Sequence, residues 1–142
     1  MQAMNTLILD SINNVGYQLE KSFEGLPSEL NDKALATGLM TPRETLAHLY
    51  EVYVACLTEA SGGKHDWFEY KLPEDVAANP GEFVWNKRSE VVALAKADET
   101  GAHSKALMDF VVIHDSYHVG QICALRLALD PAFVPYSIYR QD

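Results

Sequence analysis

Two histidines four residues apart, in the run His114-Asp115-Ser116-Tyr117-His118, are the residues of this chain best placed to do chemistry. On a helix that spacing sets both imidazoles on one face, about 6 Å apart along the axis, so both can reach one ion. Their neighbours are apolar at helical intervals. Leu107, Phe110, Val111, Ile122, Leu125 and Leu129 define an inward stripe, and His114, His118 and Gln121 fall in its middle. Polar groups buried there need partners, because each one left unsatisfied costs about 1 to 3 kcal/mol. A divalent metal ion would satisfy both imidazoles at once. The spacing alone is a weak signal that chance can produce, and the apolar company is what raises it.

An ion held by side chains generally needs at least three ligands, so another helix must supply one. His48 is the candidate. At about 100° per residue it lies just outside the arc of Thr45, Leu49, Val52 and Cys56, which suits a ligand near the mouth of a bundle. Taken alone, His48 reads better as a surface or internally satisfied histidine. His65 and His103 lie in or beside loops and are given no role. Three neutral imidazoles would leave an ion with open positions, as catalytic sites require. A thiol that joined them would be deprotonated at neutral pH. Gln121, one turn past His118, could bond a bound nucleophile or simply be a satisfied core glutamine. Trp85 and the aromatic stretch Trp67 to Tyr70 would cover the apolar end of the pocket. Glu44 and Glu51, one turn either side of His48, read equally as solvated helix charges.

Four helices are expected to position these groups. Ile8, Ile12, Val15, Leu19 and Phe23 mark one stripe of a helix over about residues 5–24, closed by Gly25 and Pro27. A second helix over 41–60 starts where Thr41 can cap, Pro42 suits the first helical position and Glu44 can return a bond to the cap; Gly62-Gly63 stops it. Residues 61–81 read as a long connection carrying large rings, which either plug one end of the bundle or cover a site. A third helix over 82–97 turns Val84, Val91, Leu94 and Ala95 inward and Trp85 toward one flank. A fourth over 104–129 ends at Asp130-Pro131. Residues 132–142 form a tail that packs back. No strand-like alternation appears, so the fold class is all-α, an antiparallel four-helix bundle in a single domain over residues 1–142.

Composition agrees with a packed domain: 48% of the 142 residues are hydrophobic, enough for a core that needs neither disulfide nor metal to fold. The net charge of −9 and the lack of any basic run argue against nucleic acid as a partner. Residues 1–10 lack the features of a secretory signal, and no stretch is long enough for a membrane span, so a cytoplasmic protein is expected. Cys56 and Cys123 fall in helical patterns and read as small buried hydrophobes.

The segments Leu46-Ala47-His48-Leu49 and His114-Asp115-Ser116-Tyr117-His118-Val119-Gly120-Gln121-Ile122 together resemble the DinB-like superfamily of metal-binding four-helix proteins. The resemblance covers essentially the whole chain by helix count and loop placement, and His-x-x-x-His-x-Gly-Gln-Ile is its most specific part. It implies a site of His48, His114 and His118 holding zinc, nickel or iron, and a bundle that pairs into homodimers. It further implies an activity like that of thiol-dependent S-transferases or isomerases using low-molecular-weight thiols, or a hydrolase-like one with water. Members often carry another basic or histidine residue where this chain has Tyr117 and Val119, so the substrate is not implied. Two other readings stand beside the enzyme: a non-catalytic, stress-related protein that retains a metal or small ligand, and a purely structural set of hydrogen-bonded histidines.

Overall fold

A computed structural model describes residues 2–140, and every regular element among them is helical. Helix α1 spans Gln2–Phe23, α2 Pro42–Ala60, α3 Glu74–Ala78, α4 Pro80–Ala97, α5 Ser104–Leu107 and α6 His114–Leu129. Short 3₁₀ turns lie at Ser28–Leu30 and Pro135–Ile138, and a π-helical turn, Met108–Ile113, lies between α5 and α6. No helix among the described residues is long and apolar enough to cross a membrane.

The expected apolar stripe of α1 is buried at Ile8, Ile12, Val15 and Leu19. Gly25, at φ 67°, turns the chain off the helix in a conformation other residues resist. Helix α2 begins as its sequence suggests, with Thr41 Oγ1 accepting from the Glu44 amide at 3.1 Å. The connection 61–81 is not structureless. It holds the short α3, in whose first turn Asp75 accepts from the Val76 amide at 2.9 Å, and Val76 is buried. Pro80 then opens α4 two residues earlier than expected, because proline lacks only an amide that the first turn does not use.

The chain directions differ from a uniformly antiparallel arrangement. Asn5 meets Asp98, and Ile12 meets Arg88, so α1 and α4 run antiparallel. Tyr53 meets Asp115 while His48 packs on His118, so α2 and α6 do too. By contrast Leu46 lies by Gly81 and Lys87 over the Tyr50 ring, so α2 and α4 run parallel. Helices α1 and α6 are likewise parallel: Gln18 and Val119 line one cavity and Ser22 bonds Arg126. The long 61–79 connection carries the chain back before α4 begins, which is what lets sequence neighbours lie parallel.

The expected single helix over 104–129 contains a π-helical turn, Met108–Ile113, between α5 and α6. A π turn takes about one residue more than an α turn, so the inward stripe changes phase. Leu107, Val111, Asp115, His118, Val119, Ile122 and Leu125 are buried, whereas Phe110 is half-buried and Leu129 is 42% exposed. One core joins α1, α2, α4, α5, the π turn and α6.

At the far end Arg126 donates to the carbonyls of Ser22 and Glu24 at 2.9 and 2.7 Å and pairs with buried Asp130. It thereby caps α1 from α6. Its guanidinium also lies 4.4 Å from the Phe133 ring, and Ile138 is buried, so the tail packs back as expected; Gln141 and Asp142 lie outside the described residues, as does Met1. Cys56 is buried, Cys123 is half-buried, and neither is disulfide-bonded.

Candidate metal centre

His48 comes from the second turn of α2, His114 is the first residue after the π turn, and His118 lies one turn further along α6. The antiparallel run of α2 against α6 turns the three rings toward one point. The Nε2 atom of His114 lies 3.1 Å from Nε2 of His48 and 3.1 Å from Nε2 of His118. One ring nitrogen from each residue falls within 4.8 Å of the others. The rings meet edge to face with centroids 4.5 to 5.3 Å apart. His118 is buried, and the other two are half-buried.

Burial holds all three rings neutral. It pushes His114 down to about 3, with His118 and His48 adding repulsion, and His118 down to about 4, against an upward pull from Gln121. His48 is also lowered by burial, partly offset by Glu51. A neutral imidazole presents one donor and one lone pair. A single Nε2 of His114 therefore cannot bond well to two other ring nitrogens at once, whereas three lone pairs directed at a cation have no such conflict. Imidazole–metal bonds of about 2.0 to 2.1 Å set neighbouring ligand atoms about 2.9 Å apart at right angles and about 3.4 Å apart at tetrahedral angles. The observed 3.1 Å separations fall between, so the donor set is one that could hold a metal ion.

A second polar layer, absent from the sequence reading, backs the histidines. Tyr53 donates to Asp115 Oδ1 at 2.8 Å, Arg88 Nε donates to Asp115 Oδ2 at 3.0 Å, and Arg88 Nη2 donates to the Ile12 carbonyl at 2.8 Å. All three side chains are buried, and the network links α1, α2, α4 and α6 beside His114. Burial raises the Asp115 carboxyl to about 6 against the opposing pull of Arg88 and Tyr53, and it raises Tyr53 well above its usual value. The signal that could have found this layer is Arg88 itself, which occupies an inward position between Val84 and Val91.

The other site residues fall in different places. The side-chain amide of Gln121 donates to Tyr117 Oη at 2.9 Å, and its Oε1, like Nδ1 of His114 and of His118, is buried without a partner among the described residues. Gln121 and Tyr117 line a cavity of about 350 Å³ walled by Leu35, Leu39, Met40 and Leu125. Trp85 is elsewhere: it packs edge-on against Phe23 and lines a groove between α1 and α4. The aromatic stretch does not wall the Gln121 cavity either. Trp67 stacks on Phe110 and meets His65, which pairs with Glu51 at 3.0 Å, while Phe68 is 97% exposed. The 31–40 connection, unmarked in the sequence reading, supplies that wall.

No protein-family model, curated protein or solved structure matches the chain.

Proposed function

We propose that His48, His114 and His118 hold a divalent zinc, nickel or iron ion in a DinB-like four-helix domain, and that the site activates a small thiol or a water for attack on an electrophile. The observation that carries this reading is the convergence of three neutral imidazole nitrogens within 4.8 Å. When bound, such an ion supplies Lewis acidity that lowers the pKa of a thiol or water toward neutrality. The protein's part is to hold three lone pairs in place without competing protons, which the burial of His114 and His118 achieves. Tyr117 and Gln121, packed beside His118, would orient the bound molecule, and Leu35, Leu39 and Met40 would seat its apolar part and exclude water.

The test is to load the protein with zinc, nickel or iron and follow conjugation of a generic electrophile with several low-molecular-weight thiols, comparing wild type with His118→Ala. Equal rates in both proteins for every metal and thiol would overturn the catalytic reading. A second reading, retention of a metal or small ligand without turnover, is favoured by one observation. Neither acid flanking His48 joins the cluster: Glu51 is bonded to His65, and Glu44 is exposed at the helix start. Metal retention without any rate enhancement would select it. The homodimer implied by the same resemblance is part of the proposal. Val54 on the outer side of α2, a candidate contact for such a pair, is half exposed, and Leu127, Tyr136 and Tyr139 are among the more exposed apolar side chains a second copy would cover. Sedimentation at micromolar concentration tests the pairing.

A further inference from the structure

We propose that the groove between α1 and α4 binds a small organic anion through Arg88, Lys96 and Arg140, at a site separate from the three histidines. The groove encloses about 540 Å³. Arg88, only 7% exposed, lies among its lining residues. Two of the three guanidinium nitrogens are used inside the protein, Nε on Asp115 and Nη2 on the Ile12 carbonyl. Nη1 has no hydrogen-bond partner among the described residues, which leaves its two protons for the groove. Gly16 makes the room: a Cβ there would come within 2.3 Å of Nη1.

The charge around this group is unlike the rest of the molecule. Three of the chain's eleven Lys and Arg residues line one groove in a protein of net charge −9, and Glu20 is the one acid on its walls among the described residues. Arg140 is held there by the Tyr17 ring, 4.9 Å from its guanidinium carbon. Trp85 supplies a second ring, and Val92 adds apolar surface. A carboxylate or phosphate on a flat ring matches this lining. The oxyanion would accept from Arg88 Nη1 between the two outer cations, and the ring would lie against Tyr17 and Trp85. The guanidinium is already oriented by Asp115 and Ile12, so little side-chain entropy is lost when the anion binds.

The test is a chemical-shift titration of the full chain with inorganic phosphate and, separately, with benzoate, at constant ionic strength. Saturable shifts at the Gly16 amide and the Trp85 indole are expected. Tighter binding of benzoate than of phosphate is expected, and equal or tighter binding of phosphate would overturn the assignment to an organic anion. Replacing both exposed cations, Lys96→Gln with Arg140→Gln, should weaken binding about threefold to tenfold without disturbing the core. Arg88→Lys, which loses the planar fork, should weaken it by more than about tenfold where it folds. Shifts that do not saturate with either anion, shifts confined to the three histidines, or an unchanged dissociation constant in the double variant would each overturn the proposal.

Discussion

Tyr53 donates a 2.8 Å hydrogen bond to Asp115, and this bond ties α2 to α6 beside the histidines that the two helices contribute. His48 precedes Tyr53 by five residues, and His114 immediately precedes Asp115. The two helices that bring the histidines together are thus also joined by a buried contact that touches none of the proposed ligands.

Tyr53→Phe should therefore act on stability and site together. It leaves Asp115 Oδ1 without its donor, a loss of about 1 to 3 kcal/mol, read as a lower denaturation midpoint. Metal affinity measured by chelator competition should fall about tenfold, the lower end for a lost supporting contact. A Tyr53→Phe protein with unchanged affinity would show that the site is positioned independently of this bond.

His118→Ala and His114→Ala should each abolish retention of one equivalent of metal, measured by elemental analysis after desalting. The helical circular dichroism should persist, because the core is large enough to fold without an ion. His103→Ala, a residue outside the cluster, is the control.

Acid should destabilise the metal-free protein through the two α6 histidines. Their folded values of about 3 and about 4 lie below the unfolded value near 6.5, so the unfolded chain takes up protons first. The stability is fully present above about pH 6.5 and is lost as pH falls through 4 and 3. Asp115 works the other way: raised from 3.8 to about 6, it adds stability as pH falls across that interval. Two lowered histidines outweigh one raised carboxyl, so denaturation midpoints should decline between pH 6.5 and 4. A double His114→Ala, His118→Ala variant should show a flat or rising profile over the same range.

Arg126→Leu should loosen the end of the molecule remote from the histidines. It strips the Ser22 and Glu24 carbonyls of their donor and leaves Asp130 buried without its cation, a change of about 3 to 5 kcal/mol. Amide exchange should quicken at the C-terminus of α1 and the start of the tail while metal binding is retained. Arg126→Lys should recover only part of the loss, because an ammonium cannot fork between the carbonyls and the carboxylate.

Periodicity, capping and chain breakers act locally, and so the sequence by itself determined the helical class, the start of α2 at Thr41-Pro42, the end of α6 at Asp130-Pro131 and the i, i+4 pairing of His114 with His118. It also singled out His48, although a single angular count could not say which neighbour that ring would meet. The tertiary structure decided what depends on contacts between distant segments. A π turn at Met108–Ile113 moved Asp115 into the inward stripe and brought it to Tyr53 and Arg88. The return of the chain through residues 61–79 made α2 and α4 parallel, a direction that no local propensity encodes. The placement of Trp85 on the α1 side and of Leu35, Leu39 and Met40 beside Gln121 followed from that topology, because side chains without a strong local partner pack wherever the assembled helices leave apolar surface.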